Sequence, residues 1–266
     1  MEILGYIASV LIGISLGMLG SGGSILTVPV LVYLMHFNPL LATTSSLFIV
    51  GMTSLTGGLR AYAKGLVDFR AITEFGIPSI FSIFITRHYV LPSLPDTLFN
   101  IGDFDVSKEI FLMLLFAALM IAAAITMIFT KNDTSIIANL EKHRHKKVLP
   151  LILLGLVIGF VTGLLGAGGG FLIVPAFVLF LKLPMKTAVG TSLLIIAINS
   201  LFGFLFSLKQ FDFNWTVLIG FTVLAIAGLF IGGRLQDKID SNSLRKGFAW
   251  FILVMGVYVV IKELYI

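Results

Sequence analysis

One glycine-rich motif occurs twice in this chain, and both copies lie inside long apolar stretches. The first copy runs from Gly13 to Pro29 and the second from Gly159 to Pro175; five glycines, a valine and a proline match at a constant offset of 146 residues. Clustered glycines interrupt helices, and an interrupted helix is tolerated in a bilayer only where its backbone is buried in protein or lines a cavity. A break repeated in both halves of a chain is typical of a transporter's substrate site.

The composition places the chain in a membrane. Hydrophobic residues make up 58% of its 266 residues and charged residues only 12%, against about 25% charged in soluble domains. The apolar runs are long and continuous, which favours helices over a β-barrel. We attribute the net charge of +5 to cytoplasmic loops and not to nucleic-acid binding. The absence of cysteine excludes disulfides, thiolate metal sites and cysteine nucleophiles.

The repeat extends beyond the glycines. Residues 42–47 match residues 188–193 at the same offset. Between each glycine cluster and these matched residues lies an apolar segment of eleven residues, at 25–35 and at 171–181. At about 1.5 Å per residue such a segment crosses about half a bilayer. We predict an all-α polytopic membrane protein of two repeats, each a glycine-broken pair of partial helices followed by three transmembrane helices. The predicted units are residues 1–130 and 148–266, joined by a basic linker at 131–147.

The basic residues predict how the repeats are oriented. With the linker in the cytoplasm, counting the spans outwards puts fourteen of the eighteen lysines and arginines on the cytoplasmic side, as the positive-inside rule requires. The acidic loop 91–108 and both termini then lie outside. This arrangement gives the repeats opposite orientations in the cell membrane. Inverted repeats of this kind bind substrate near the bilayer midplane.

The glycine clusters are candidate anion sites. Glycine permits sharp turns, exposes backbone N–H groups and leaves the following helix with its positive end pointing into the protein. That helix would begin near Ser24–Val28 in the first half and near Gly170–Val174 in the second, and Ser24 or Thr27 would cap the first of them. Proline suits the first turn of a helix, so Pro29 and Pro175 favour starts nearer 28 and 174. The candidate binding residues here are Gly20, Ser21, Gly22, Gly23, Ser24, Gly166, Gly168, Gly169 and Gly170. The flanking Gly13, Gly17, Gly159 and Gly163 are instead spaced for close helix packing.

Hydroxyl and amide side chains provide further candidates. Thr44 and Ser45, with Thr191 and Ser192 in the second half, begin the next full span and are placed to donate to substrate oxygens; bonding to carbonyls of the preceding turn is the equally weighted alternative. Asn199 and its repeat counterpart Thr53 lie in the middle of spans, where polar residues are functional candidates by default. Hydrogen bonding between helices is the alternative for this pair.

Charged groups are almost absent from the predicted spans. Arg87 lies near the outer end of its span, where attraction of an anion at the external mouth is one role and extension of its side chain to the lipid headgroups, which we expect, is the other. The interior is therefore expected to offer an anion no arginine. The histidines lack metal-ligand spacing and no P-loop motif occurs. No histidine or aspartate lies deep in a span to activate a serine. We therefore predict no metal, no cofactor and no enzymatic activity.

These residues resemble the TauE/SafE sulfite exporter family, also called the 4-toluene sulfonate uptake permease family. The resemblance rests on the doubled Gly-x-x-x-Gly-x-x-Gly-x-Gly-Gly motif with its apolar run to Val-Pro, and on Ala-x-Gly-Thr-Ser-Leu at 188–193; in the first half Thr44 replaces the glycine. It implies a secondary transporter of sulfite, organosulfonates or related small anions, often an exporter, with pore loops at 20–24 and 166–170. A passive anion channel and a carrier of other organic anions are the alternatives.

Overall fold

A computed structural model describes residues 2–20, 23–95, 97–101, 104–129, 148–166, 168–177, 181, 183–235 and 241–265. The predicted linker 131–147 lies outside these residues. Within them the helices are α1 (Glu2–Leu19), α2 (Ser24–Tyr33), α3 (Pro39–Ala63), α4 (Phe69–Ser93), α5 (Lys108–Phe129), α6 (Val148–Leu165), α7 (Gly170–Ala176), α8 (Met185–Ser207), α9 (Trp215–Leu235) and α10 (Ser241–Tyr265). Six of the described helices, α3, α4, α5, α6, α8 and α9, are long and apolar enough to cross a bilayer. The prediction of an all-α polytopic membrane protein is confirmed.

Two features of the first half were not predicted. Helix α4 contains two π-helical segments, Ile72–Gly76 and Thr86–Val90. A π segment holds extra residues in a turn and is frequent at functional sites. The predicted loop 91–108 contains an antiparallel hairpin of β1 (Thr97–Ile101) and β2 (Phe104–Ser107). The hairpin lies directly before α5, and its strands are too short to span a membrane.

Glycines bring two pairs of helices into backbone contact. A Cβ atom added at Gly13 or Gly17 would lie less than 3.0 Å from the backbone of α9, and one added at Gly159 would lie as close to the backbone of α4. At Gly163 it would meet the side chain of Thr86 at 2.7 Å. These contacts confirm that the four flanking glycines of the motif serve helix packing, because any larger residue would force the helices apart.

Corresponding helices of the two halves make corresponding pairs. Helix α1 packs along α9, and its counterpart α6 packs along α4; α3 pairs with its counterpart α8, and α5 with α10. The apolar windows of α3 and α8 are each 67% buried, against 39–44% for the other four spans, so these two helices form the centre. Helices α2 and α7 pack on this central pair and contact each other. Both glycine breaks therefore lie against the central pair, the first at Val189 of α8 and the second at Thr43 of α3.

The helices after the breaks begin immediately after the glycines, at Ser24 and Gly170. The starts nearer 28 and 174 are wrong. Pro29 lies inside α2, whose burial through packing outweighs the one N–H that proline lacks. Neither proposed cap is found at the N-terminus of α2: Gly23 holds the cap position without a side-chain hydrogen bond, and Thr27 donates to the Gly23 carbonyl over 3.3 Å.

Candidate functional site

The first glycine break joins α1 to α2 and is packed against α8. Gly20 adopts the left-handed backbone conformation (φ +73°), and a Cβ atom added there would lie less than 3.0 Å from the side chain of Val189. Gly23 is buried against the Ile12 carbonyl of α1, and Ser24 is buried as the first residue of α2. Ser21 and Gly22 lie outside the described residues. Only glycine fits at position 20, since a side chain would meet both backbone strain and a neighbouring helix.

The second break contains three glycines in the left-handed conformation. Gly166, Gly168 and Gly169 have φ angles of +66°, +67° and +68°, and Gly170 begins α7. A Cβ atom at Gly166 would lie less than 3.0 Å from the backbone of Thr43 in α3, and the Ser46 hydroxyl of α3 donates to the Gly166 carbonyl. The break is thus held directly on one of the two central helices.

A cluster of polar side chains adjoins the second break. The Ser79 hydroxyl of α4 lies 2.9 Å from Asn199 Oδ1 of α8 and 2.8 Å from the Gly76 carbonyl. Asn199 Nδ2 and the hydroxyls of Ser200 and Thr162 are buried without a hydrogen-bond partner among the described residues. Cβ atoms added at Gly168 and Gly169 would lie less than 3.0 Å from the Ser200 and Thr162 hydroxyls. We call Ser79, Thr162, Asn199 and Ser200 the polar cluster; it presents unused hydrogen-bonding groups to the break.

The remaining hydroxyl candidates have separate environments. Thr44 donates to the Leu40 carbonyl over 3.1 Å and Ser192 to the Val189 carbonyl over 2.8 Å, as the carbonyl alternative predicted. Thr53 donates to the Ile49 carbonyl of its own helix over 2.7 Å, whereas its counterpart Asn199 makes the hydrogen bond between helices, with Ser79. Thr191 accepts from the Asp68 backbone N–H over 2.9 Å, away from the polar cluster. The buried Ser45 hydroxyl has no partner among the described residues.

A cavity of about 350 Å³ opens beside the first break. Arg60, Lys64 and Lys186 line it, and its other lining residues are uncharged. We call it the basic cavity. Lys64 and Lys186 are exposed, so it opens to one face of the protein, and it reaches inwards to Gly17 and Val189. Because Val189 packs against Gly20, the cavity leads from that face to the first glycine break.

Arg87 is placed differently from the sequence expectation. Its side chain is 0% exposed and does not extend to the lipid headgroups. Its Nη1 donates to Thr44 Oγ1 over 2.9 Å, and its Nε and Nη2 have no hydrogen-bond partner among the described residues. The expectation of an interior without arginine is therefore wrong: Arg87 lies in the second π segment of α4, on the side that faces α3.

The chain is similar to known proteins over nearly its whole length. The family model described as "Sulfite exporter TauE/SafE" matches residues 5–259, nearly the whole chain. The chain belongs to the TauE/SafE family. It is accordingly a multi-pass membrane transporter and not an enzyme.

Curated relatives of this TauE/SafE protein carry the same general description. A probable membrane transporter protein of Xylella fastidiosa (strain Temecula1) is 28% identical over 257 residues, covering 94% of this chain and 91% of the relative. The probable membrane transporter protein YunE of Bacillus subtilis is 27% identical and covers 98% of both chains. MJ0441 of Methanocaldococcus jannaschii, with the same description, is 26% identical over 95% of this chain and 94% of its own. No solved structure matches the chain.

A sequence signal for the burial of Arg87 in this TauE/SafE protein does exist. Ser79, Ser82 and Thr86 recur at the spacing of one helix face, and all three are buried. Small polar residues in that pattern mark the side of a span that faces protein. Arg87 follows Ser79 by eight residues and so falls close to the same face. Its position near the end of the span favours the lipid headgroups instead, which is why the prediction from sequence was wrong.

Proposed function

We propose that this TauE/SafE protein is a secondary transporter that exports sulfite, an organosulfonate or a related small sulfur-containing anion by alternating access. The observation that carries the proposal is the basic cavity, which concentrates three cationic side chains at a route to the first glycine break. Its volume of about 350 Å³ suits a small organic anion. The family description as sulfite exporters supports this substrate class.

We propose that the two breaks meet near the middle of the central pair and that the substrate binds there. The positive end of α2 lies at the buried Ser24, which favours an anion without any charged side chain. On the other side of the site, the unpartnered groups of Asn199, Ser200 and Thr162 provide further donors. Buried groups without partners are uncommon, and a site that hydrogen-bonds a ligand accounts for them.

The two halves are proposed to move around this site. The charge distribution predicts that they are inverted, and the pairing of α1 with α9 and of α6 with α4 is what two equivalent halves would produce. In the predicted topology the basic cavity opens to the cytoplasm. On its own side the second break is closed by the Ser46 hydroxyl, which donates to the Gly166 carbonyl. The described conformation thus suits an exporter ready to load from the cytoplasm.

Counterflow in proteoliposomes tests this proposal. Purified protein is reconstituted with unlabelled sulfite or methanesulfonate inside the vesicles, and entry of the labelled anion is followed. We expect the internal anion to accelerate entry, because a carrier returns faster when loaded. Acetate and lactate vesicles serve as the comparison for other organic anions. If the internal anion does not accelerate entry of the labelled anion, the protein is a passive channel. If acetate exchanges faster than the sulfonate, the protein is a carrier of other organic anions.

Neutralising the basic cavity is expected to slow loading. Lys64→Gln/Lys186→Gln removes two exposed charges that attract anions, and we expect the initial rate from the cavity side to fall about 10-fold at low ionic strength. The difference should shrink in 0.5 M potassium gluconate, since salt screens exposed charges beyond about 5 Å. Lys209→Gln/Lys246→Gln is the matched control, because both lysines are exposed and do not line the cavity. Equal rates for both double variants at low salt would show that the cavity does not attract the substrate.

A further inference from the structure

We propose that Arg87 binds the charged group of the transported anion and that Thr44 positions its guanidinium. This inference rests on the proposed function, because it names the residue that supplies the counter-charge within the same transport pathway. It adds a cation to a site that otherwise consists of backbone groups, hydroxyls and an amide.

The chemistry of the Arg87 side chain favours an anionic ligand. A guanidinium remains charged in proteins and carries five N–H donors, one on Nε and two on each terminal nitrogen. The Thr44 hydroxyl accepts from Nη1, whereas Nε and Nη2 are buried without partners among the described residues. Among the described residues, Arg70 and Glu74 form an ion pair. No described carboxylate pairs with Arg87. A buried charge without a partner strongly destabilises a protein.

The free edge of the guanidinium has the right shape for a sulfonate. Nε and Nη2 lie on the same side of the planar group and donate in parallel, which matches two oxygens of a carboxylate, sulfonate or sulfite. Thr44 holds the opposite edge through Nη1. The bound side of Arg87 therefore fixes its orientation, and the unbound side is left for a bidentate ligand.

The repeat places Arg87 on the pathway. The basic cavity is lined by Gly17 and Gly190, whose counterparts at the offset of 146 residues are Gly163 and Thr44. Gly163 packs on Thr86, and Thr44 accepts from Arg87. Arg87 thus occupies, beside the second break, the place that corresponds to the open basic cavity beside the first break. An anion that passes the two breaks from the basic cavity meets Arg87 next.

Binding to purified, full-length protein tests the role of Arg87. Affinities for sulfite and methanesulfonate are measured by isothermal titration for the unaltered protein, Arg87→Gln and Arg87→Lys. We expect affinity to fall about 100-fold or more in Arg87→Gln, because the anion loses its buried charged partner. We expect a smaller loss in Arg87→Lys, because lysine keeps the positive charge but lacks the paired N–H donors of the guanidinium. Lys209→Gln, an exposed cation, should bind normally.

The stability of the anion-free protein separates binding from a structural role. If Arg87 serves to hold α4 to α3, Arg87→Gln should lower the melting temperature without ligand. If it serves the anion, the melting temperature without ligand should be unchanged or higher, because an unpaired buried charge has been removed, and the stabilisation by added sulfite should be lost. Thr44→Val should weaken binding about 10-fold and Thr44→Ser should restore it, since serine keeps the accepting oxygen.

The outcomes are distinguishable. Normal affinity in Arg87→Gln, with binding by the unaltered protein, overturns the inference and leaves the proposed function in place. Absence of binding and counterflow in the unaltered protein overturns the proposed function and the inference together. If Arg87→Gln does not fold, Arg87→Lys and Thr44→Val decide, and normal affinity in both overturns the inference.

Discussion

Gly169→Leu is expected to abolish transport while leaving the protein folded. Gly169 has a φ angle of +68°, where any residue with a Cβ atom loses about 1–2 kcal/mol. That Cβ atom would also lie less than 3.0 Å from the Thr162 hydroxyl, and the rest of the leucine would occupy the space beside the polar cluster. The loss in folding free energy is a small part of the roughly 5–15 kcal/mol of a typical domain. The loss of the site is complete, because the leucine side chain fills the space in which an anion would contact the donors of the polar cluster.

The measurement is counterflow of labelled sulfite at matched amounts of protein that elutes as a single peak in size-exclusion chromatography. Gly65→Leu is the matched control: Gly65 has nearly the same φ angle, +70°, but a Cβ atom there would have no neighbour within 4 Å. Gly65→Leu has the same free-energy cost of a left-handed backbone as Gly169→Leu but does not fill the proposed substrate site, so we expect it to transport normally. Full transport by Gly169→Leu would show that the second break does not form the substrate site.

Gly13→Leu is expected to prevent formation of stable protein. A Cβ atom at Gly13 would lie less than 3.0 Å from the carbonyl group of Ala225 and the amide nitrogen of Leu229, both backbone groups of α9. Backbone cannot turn away as a side chain does, so α1 and α9 must separate along their length. We expect the loss of stability to reach about 3 kcal/mol or more, the upper range for an overfilled core.

Thermal unfolding of the detergent-solubilised protein, followed by tryptophan fluorescence, measures this loss. The chain has two tryptophans and no cysteine, so thiol-reactive dyes do not report on it. Gly247→Leu is the matched control, because a Cβ atom at Gly247 in α10 would have no neighbour within 4 Å. We expect its melting temperature to stay close to that of the unaltered protein, or to rise slightly with the better helix propensity of leucine. Similar melting temperatures for the two variants would contradict the close contact of α1 with α9.

Much of the architecture was predictable because it depends on local composition. Apolar length alone determines which segments can cross a bilayer, and glycine clusters alone determine where such segments break. The sequence therefore located α3, α8 and both breaks, and the packing role of Gly13 and Gly159 followed from their spacing. The start of α2 was misplaced, because proline preference is a weak local rule and burial of the whole helix outweighs it. The hairpin of β1 and β2 was not predicted, and it lies in a stretch that the sequence pattern indicates only as an acidic loop.

The sequence by itself determined that this protein is a helical membrane transporter with a doubled glycine break, since hydropathy, glycine conformation and the family motif are properties of contiguous residues. The tertiary structure alone decided what surrounds each break. It brought Thr43 and Ser46 onto Gly166 from 120 or more positions away, and it turned Arg87 inward onto Thr44. Such contacts depend on which face of one helix packs on another. A guanidinium near the end of a span has two available environments, headgroups or protein, and only the packing of α4 against α6 and α8 selects between them.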